Sequence, residues 1–532
     1  MQIANILVPL MRLTAMIIFA PVKKNTVVFF LFILPALILT LPSCKKKRSE
    51  MAILLYKKTH NKVFKDATPE GFSVVFKKVF DAERSKLSHA DVIYDFYKKN
   101  GYNPEFVMSH LFNGDLATAD DYFMHADEQG LSAEMFQAKE LRRLISGLTN
   151  KNDVKTLDDV YHDMAELEII AANSLINYTN ALQYGVINPK YIYQRYFLAT
   201  KRPDSISMVQ VFHIGKMQEY LDSIQPKSPE YIALQNALKI GFTAKGISQE
   251  ETKRILMVNL ERLRWRNKPF EQKYVIVNIP DFGLNVIDSG HSVLKMKVCV
   301  GQGRNMDNAN TLVAYNDTCK EDKPNEHETP LLNSLIHSVD VNPVWNIPKS
   351  IANKEIIVQA AKDRFYLANN SIDVYEDDKL VSNPEDIDWT KITKENLPYD
   401  FKQEPGEGNS LGKIKFLFKN KSDVYLHDTP AKSVFYRSMR AVSHGCVRLG
   451  DPQALALSLF GDGEKYKTIA TDMSEDNPDP TTIYLPKKVP VYITYTTCWA
   501  DENNNLQFRK DVYGLDIVLY DHLLKYLHPE NN

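Results

Sequence analysis

The sequence of 532 residues predicts an α+β protein, with an all-helical N-terminal half followed by a mainly β C-terminal half. From about residue 51 to 265, apolar side chains recur at spacings of three and four, as in Leu157, Val160, Tyr161 and Met164. From about residue 273 the period changes to two, as in the segment 292–300. This change of period predicts a helical scaffold and then a domain built on a sheet.

Composition and charge are those of an ordinary folded protein. The chain is 44% hydrophobic and 25% charged, and its 65 Lys and Arg residues balance 66 Asp and Glu residues to a net charge of -1. A nucleic-acid-binding protein normally carries a clear excess of basic residues. We therefore expect no nucleic-acid partner.

The N-terminus predicts export. Residues 27–41 are almost entirely apolar, follow Lys23 and Lys24, and end just before Cys44. A basic flank, a short apolar core and a small residue before a cut are typical of a secretory signal. The cysteine after the cut resembles a bacterial lipobox, which implies a signal over 1–43 and lipidation of Cys44. An uncleaved membrane anchor is the alternative, and either places the body in the cell envelope, periplasmic and membrane-anchored.

The helical region, 45–270, is interpreted as a scaffold domain. Breaks are expected at 101–104 and 226–229, and Ser228 before the apolar residues 231–234 predicts a helix start. In the second domain, 271–532, the pattern predicts strands and two helices. The strands are expected at 273–279, 292–300, 336–341, 413–418, 424–427 and 490–497, and the helices at 350–361 and 452–460.

Two polar stretches interrupt the second domain. Residues 370–409 read as irregular, so about 350–410 is interpreted as a lid or insertion subdomain. Residues 301–328 are interpreted as a surface insertion. Four cysteines besides Cys44 do not make a disulfide framework, and a bridge between Cys299 and Cys319 is left open.

The residues that carry chemistry are clustered at 443–448. Cys446 follows His444 by two residues and His427 by nineteen, and Gly445 precedes it. A thiol becomes a nucleophile when a nearby histidine takes its proton, and amides around a glycine are natural oxyanion donors. Arg448 lies two residues further on and could bind a carboxylate through two hydrogen bonds.

Three other interpretations of these residues stay open at this point. A buried cysteine is usually a small inert hydrophobe. A cysteine with two histidines can also ligate zinc. Finally, the histidines could be ordinary structural hydrogen-bond donors.

The cluster resembles the L,D-transpeptidase catalytic domain of the YkuD type, whose signature is a histidine, about fifteen residues, and then Ser-His-Gly-Cys. Here His427 is followed by fifteen residues and then by Ser443-His444-Gly445-Cys446. Further stretches resemble the large multidomain, YcbB-like subgroup of that family: 259–262, 274–280, 342–348, 405–409, 411–416 and 490–495. One departure is that no three-helix peptidoglycan-binding module is recognisable before the catalytic domain.

The resemblance implies an enzyme that acts on peptidoglycan stem peptides without a cofactor or metal. By it, Cys446 is the nucleophile and His427 the general base, with Gly445 and the accessory His444 in the oxyanion region. The implied substrate-binding residues are Ser443, Arg448 and Trp345. The expected product is a 3-3 cross-link, made by passing an acyl group to a diaminopimelate amine.

The same resemblance implies that carbapenem-type inhibitors acylate Cys446.

Two rival functions fit the residues too. An L,D-carboxypeptidase would pass the same acyl group to water, and a non-catalytic envelope protein would only bind stem peptides.

Overall fold

The computed structural model describes residues 47–150, 156–267, 271–303, 321–393, 396–474 and 479–528. The described chain from Arg48 onwards belongs to one compact unit. The expected signal segment, Cys44 and Cys319 lie outside the described residues. No helix in the described ranges is both long and apolar enough to cross a membrane.

The first part of the chain is helical, as the apolar spacing predicted. Its helices are α1 Glu50–Thr59, α2 Pro69–Glu83, α3 Ala90–Lys99, α4 Glu105–Ser109, α5 Asp115–Met124, α6 Ala138–Thr149, α7 Leu157–Tyr184, α8 Pro189–Ile192, α9 Ser205–Val209, α10 Met217–Ile224, α11 Pro229–Lys239 and α12 Gln249–Arg264. The expected helix start is confirmed, because the Ser228 side chain caps α11 by accepting a hydrogen bond from the Tyr231 amide at 3.2 Å. Short strands β1 Tyr196–Phe197, β2 Thr200–Lys201 and β3 Arg266–Asn267 flank the last of these helices.

Helix α7 is the longest helix described in this region. It has 28 residues and begins with a capping box, in which Thr156 and Asp159 satisfy each other's backbone amides. The carboxylate of Glu168, in the middle of α7, accepts hydrogen bonds from the Val107 amide at 2.7 Å and the Phe106 amide at 3.0 Å. Burial raises the pKa of Glu168 to about 7. The long helix therefore anchors the start of α4 through a buried carboxylate.

The second part of the chain is mainly β, which confirms the predicted fold class. Its principal strands are β4 Lys273–Asn278, β5 Gly283–Asp288, β6 His291–Gly301, β7 Leu331–Val341, β12 Ile414–Phe418, β13 Leu426–His427, β14 Ala441–Ser443, β15 Val447–Leu449 and β16 Thr481–Thr494. Hydrogen-bonded pairings run in the order β7-β12-β13-β15-β6-β5-β4-β16, and β16 pairs again with β7. The sheet therefore closes on itself around an apolar core.

The stretch read as irregular is a small subdomain with its own sheet, so that part of the sequence interpretation was wrong. Strands β8 Trp345–Ile347, β9 Ile372–Glu376, β10 Lys379–Leu380 and β11 Tyr399–Gln403 form a four-stranded sheet in the order β10-β9-β11-β8. Its helical segments are α13 Lys349–Ile351, α14 Ile357–Ala360 and α15 Tyr366–Asn369, with a π-helical turn at Ala352–Ile356. Its apolar core includes Trp389 and Phe401 and is separate from the core of the closed sheet. We call residues 345–403 the lid subdomain.

The chain ends in helices and a hairpin that pack on the closed sheet. The helices are α16 Pro452–Phe460, α17 Glu464–Asp472 and α18 Leu515–Leu527, and the hairpin strands are β17 Cys498–Ala500 and β18 Leu506–Phe508. Helix α16 has the bounds that the sequence predicted. Helices α17 and α18 and strand β5 were not predicted.

Candidate active site

Two short parallel strands bring the candidate residues to one face of the sheet. Strand β13 pairs with β15 so that His427 lies opposite Arg448, and the Val447 amide donates to the Tyr425 carbonyl at 3.1 Å. Paired residues of neighbouring strands project to the same side, and residues two apart on a strand do so too. The pairing therefore places Tyr425, His427, Cys446 and Arg448 on a common face.

A row of charged and titratable groups crosses that face from strand to strand. The register places Asp340 opposite Lys415, Lys415 opposite His427, and His427 opposite Arg448. The Lys415 ammonium lies 3.1 Å from a carboxylate oxygen of Asp340 and 5.7 Å from the centre of the Tyr425 ring. Two cations thus flank the face that carries the thiol.

Cys446 is a free cysteine, and the residue is partly exposed. Its neighbours still enclose it enough that burial raises its pKa to about 11. The backbone of Tyr425 and then its side chain oppose this rise, as do the charges of Arg448 and Lys415. These three residues are the ones that stabilise a thiolate when it forms.

His427 is buried, with 4% of its surface exposed. Burial lowers its pKa to about 4, the charge of Arg448 adds to the drop, and the backbones of Asp428 and Leu411 oppose it. Its ring lies 5.6 Å from that of Tyr425, centre to centre. Among the described residues Nδ1 has no hydrogen-bond partner that meets normal geometry. At neutral pH His427 is therefore an uncharged imidazole able to accept a proton.

The loop before Cys446 is held by internal hydrogen bonds. The Ser443 hydroxyl donates to the Cys446 carbonyl at 2.5 Å and accepts from the Gly445 amide at 3.2 Å, while Thr329 donates to the Gly445 carbonyl at 2.8 Å. Gly445 has φ 117°, which a residue with a side chain rarely adopts. Ser443 is 3% exposed. It braces the loop, and its expected substrate-binding role stays a prediction.

The same hydrogen bonds indicate which backbone amide is free to donate to an oxyanion. The amide of Gly445 is already used by Ser443. For the amide of Cys446, no acceptor is present in the described ranges. The Cys446 amide is thus the better-placed oxyanion donor of the two.

His444 meets the lid subdomain. Its Nε2 lies 2.5 Å from a carboxylate oxygen of Glu355, and its ring stands at 89° to that of His327, 4.7 Å away. Glu355 belongs to the π-helical turn of the lid, and His327 is the last but one residue of the stretch that was interpreted as a surface insertion. That interpretation was wrong for its last residues, because they pack against the catalytic loop.

Arg448 and Trp345 are the other two residues expected to bind substrate, and that role stays a prediction. The Nε atom of Arg448 is buried and has no hydrogen-bond partner in the part of the chain that the structure describes. Trp345, in lid strand β8, is close enough to the Tyr425 side chain to oppose the rise in the pKa of that tyrosine. The indole therefore places the lid next to Tyr425.

Four residues at this site were not predicted as site residues: Tyr425, Lys415, Glu355 and His327. For Tyr425 a signal existed, because alternation in 424–427 places it on the face of His427. For the other three the contacts are between segments distant in sequence, and nothing local marks them.

Zinc ligation by the catalytic cluster finds no geometric support. Within the described ranges, the group whose potential ligand atoms lie within 4.8 Å of one another is His162, Asp163 and Glu166, on the outside of α7. The side chains of Cys446, His427 and His444 do not form such a group.

Comparison with known proteins agrees with this geometry. Residues 272–461 match the model of the L,D-transpeptidase catalytic domain (YkuD), and residues 91–238 match a scaffold domain. A Haemophilus influenzae protein named "Putative L,D-transpeptidase" is 29% identical over 266 residues, which cover 49% of this chain and 48% of that protein. The chain thus spans about half the length of this curated relative.

An L,D-transpeptidase from Mycobacterium smegmatis, a solved structure, is 13% identical with a TM-score of 0.19, and the match covers 42% of this chain and 58% of that one. That similarity is too low to bear on the fold. The scaffold match instead lies in the helical part, and the catalytic-domain match lies in the mainly β part and contains the Cys446 loop. Over residues 272–461 the chain is therefore similar to L,D-transpeptidase catalytic domains (YkuD), and over residues 91–238 it is similar to a scaffold domain.

Proposed function

We propose that this protein is a peptidoglycan L,D-transpeptidase that forms 3-3 cross-links between stem peptides. One observation carries the proposal. Cys446 lies in the part of the chain that matches the YkuD model, Tyr425, Arg448 and Lys415 all act to lower the pKa of its thiol, and it shares a sheet face with a buried neutral histidine. A protein that only binds stem peptides has no need of groups that stabilise a thiolate.

The proposed reaction has two acyl transfers. The Cys446 sulfur attacks the carbonyl carbon of diaminopimelate at position three of a tetrapeptide, and the thiol proton passes to His427. The amide bond to the terminal D-Ala breaks, its nitrogen takes the proton from His427, and a thioester remains on Cys446. The amine of a second diaminopimelate then attacks the thioester, loses a proton through His427, and releases the thiol.

The surrounding residues have supporting roles in this proposal. The Cys446 amide donates to the oxyanion, and Tyr425 donates to the sulfur while it is anionic. Arg448 pairs with a carboxylate of the stem peptide, since its Nε has no partner in the described chain. The lid, joined to the site through Trp345 and Glu355, limits access of water to the thioester.

The test is to incubate disaccharide-tetrapeptide with the wild-type protein and with Cys446→Ala, and to analyse the products by mass spectrometry. We expect 3-3 dimers and free D-Ala with the wild type alone. Tripeptide without dimers would establish the carboxypeptidase instead. No change with either protein would leave binding of stem peptides as the function.

Acylation by a carbapenem provides a test that does not need the natural substrate. We expect one added mass on Cys446 after incubation with a carbapenem, and none in Cys446→Ala. A mass found on another residue would contradict the assignment of the nucleophile.

We also propose that the protein is tethered to a membrane of the cell envelope through lipid on Cys44. The support is the basic, then apolar, then small-residue pattern that precedes this cysteine. Cys44→Ala should move the protein from the membrane fraction to the soluble fraction. Unchanged membrane association would favour an uncleaved anchor.

A further inference from the structure

A cavity lies in the helical part of the molecule, away from the candidate active site. It has a volume of about 560 Å³ and is bounded by residues 86–89, 134–137, the end of α7, residues 202–203 and the end of α18. Sites for small ligands commonly have volumes of roughly 300–1,000 Å³. None of the catalytic residues lines this cavity, so it is separate from the Cys446 site.

One wall of the cavity is a row of carboxamides. Asn173, Asn177 and Asn180 all line it and lie on α7 at spacings of four and three. Those spacings place the three side chains on one face of the helix, and the first and last are about 10 Å apart along the helix axis. Gln137 adds a fourth carboxamide to the lining. Such a row suits an elongated ligand of about the length of two linked sugar rings.

The carboxamides have hydrogen-bonding capacity to spare. Asn177 donates to the Ser88 hydroxyl at 3.4 Å, Asn173 donates to Gln137 at 3.4 Å, and Asn180 lies 3.2 Å from the His89 ring nitrogen. These distances are at the long end of normal hydrogen bonds. Each carboxamide offers two donors and an oxygen that accepts two bonds, and in the described chain the side-chain oxygens of Asn177 and Asn180 accept none.

The charges in the lining are largely compensated. Lys86 pairs with Glu83 at 2.9 Å, and Lys525 lies 3.8 Å from Asp521. The Arg202 guanidinium donates to the Tyr184 carbonyl at 2.7 Å, and its charge interacts with that of Glu261. Glu134, the acidic residue of the lining, lies 3.8 Å from Lys139. Because each of these cations has an acidic residue near it, the cavity does not favour an anion. It favours a neutral ligand rich in hydroxyl and amide groups.

The rim carries an aromatic ring. Tyr526 on α18 lines the cavity and is 51% exposed. An exposed aromatic ring beside a row of carboxamides is well suited to a sugar, whose apolar ring face packs on the aromatic and whose hydroxyls meet the amides. A peptide would use the amides but would gain less from a flat ring at the rim.

We infer that this cavity binds a neutral glycan segment that carries N-acetyl groups. The inference rests on the proposed function, since the glycan strand is the part of peptidoglycan to which the stem peptides are attached. Binding the strand in the scaffold region would hold a stem peptide near the molecule while the catalytic site acts on it. The ligand class is a short oligosaccharide of N-acetylated hexosamines.

The test uses the full-length protein and the tetramer of N-acetylglucosamine, with binding measured by isothermal titration calorimetry. We expect a measurable affinity that falls at least tenfold in Asn177→Ala and in Tyr526→Ala. Matched controls are Asn236→Ala, on the exposed side of α11, and Tyr484→Ala, which is 65% exposed on β16. Both controls should bind as the wild type does.

Two further measurements separate the possible outcomes. Circular dichroism shows whether each variant is folded, and Tyr526→Ala, which removes an exposed ring, keeps the test valid if Asn177→Ala unfolds. Absence of tetramer binding, equal binding by all variants, or binding of free stem peptide in its place would overturn the inference. Carbapenem acylation of Cys446 in the same variants tests the proposed function separately, since it does not need the cavity.

Discussion

At the scale of single residues, the proposed nucleophile and the proposed general base are both uncharged before substrate binds. The Cys446 thiol has a pKa of about 11 and the His427 imidazole a pKa of about 4, so at pH 7 neither carries a charge. The thiolate must therefore form as the substrate is attacked, with His427 taking the proton in the same step. Groups that stabilise the anion then contribute most when the charge develops.

Lys415 is predicted to be one of these groups. Lys415→Met removes a positive charge that lowers the thiol pKa, so the apparent pKa of Cys446 should rise and its alkylation at pH 8 should slow a few-fold. The measurement is the rate of iodoacetamide labelling of Cys446 against pH. Lys421→Met, at an exposed position after β12, is the matched control and should leave the rate unchanged. Equal rates in both variants would remove Lys415 from the mechanism.

Burial of His427 predicts a dependence of stability on pH. The imidazole stays neutral in the folded protein down to about pH 4 but gains a proton near pH 6.5 when unfolded, so the unfolded state binds more protons between these values. Stability should therefore be fully present above pH 6.5 and fall towards pH 4, by at most about 3 kcal/mol. Denaturant unfolding at pH 7 and pH 4.5 measures this loss. His427→Gln should lose less over the same interval, and parallel losses would contradict the prediction.

Sequence reasoning at this scale identified residues whose chemistry is visible locally. The spacing of His427 and Cys446 and the position of Gly445 can be seen in the sequence without knowledge of the fold. For Ser443 the sequence did not show that its neighbours, Gly445 and Cys446, use its hydroxyl in the fold. Lys415 was out of reach, because only the register of β12 against β13 brings it to His427.

At the scale of elements, the lid subdomain is a small folded body on the closed sheet. Its hairpin turn uses Asp377 and Asp378, both with positive φ, where a sequence signal would have been Asn-Gly. Its strands have only two to five residues, so the alternation of each is too brief to mark a strand among the polar residues around it. These physical reasons explain why its sheet was not predicted, whereas the buried and strongly alternating strands β4 and β6 were.

The core of the lid depends on Trp389. This residue is 4% exposed, its ring lies 5.7 Å from that of Phe401, and its indole donates to the Pro384 carbonyl at 3.1 Å. Replacing a buried Trp by Ala typically costs about 3–5 kcal/mol. Because the closed sheet has a separate core, Trp389→Ala should disrupt the lid while the main unfolding transition shifts little.

Limited proteolysis and carbapenem acylation measure this effect together. We expect new cleavage within 345–403 and slower acylation of Cys446, since Trp345 and Glu355 join the lid to the site. Trp499→Ala, in a strand outside the lid, is the comparison variant and should keep the lid resistant. Cleavage spread over the whole chain would instead show that the lid and the sheet unfold together.

At the scale of the whole molecule, a buried polar network joins the helical part to the closed sheet. Arg262 on α12 forms an ion pair with Asp516 on α18, and both side chains are less than one-tenth exposed. Thr497 donates to Asp516 at 2.7 Å and accepts from Asn259 at 2.8 Å. The stretch 259–262, which resembled the large subgroup in sequence, thus supplies the contacts between the two halves.

Breaking this network should destabilise the molecule as a single unit. Asp516→Ala leaves the Arg262 charge buried without its partner, a change that typically costs about 3–5 kcal/mol. By contrast, the pair Lys216–Glu219 is mostly exposed, with side chains 74% and 70% accessible, and Lys216→Ala should leave the stability nearly unchanged. Replacing both partners by apolar residues, in Arg262→Met/Asp516→Leu, removes the unpaired charge and should recover much of the lost stability.

Urea unfolding can be monitored by two signals. Far-ultraviolet circular dichroism reports mainly on the helices, and tryptophan fluorescence is the second signal. Together they distinguish two forms of coupling between the halves. If the network joins the halves into one cooperative unit, both signals shift together in Asp516→Ala. If the halves only touch, the signals separate, because the helical part can then unfold while the closed sheet persists. A shared shift is expected, since Arg262 and Asp516 are buried on both sides of the junction.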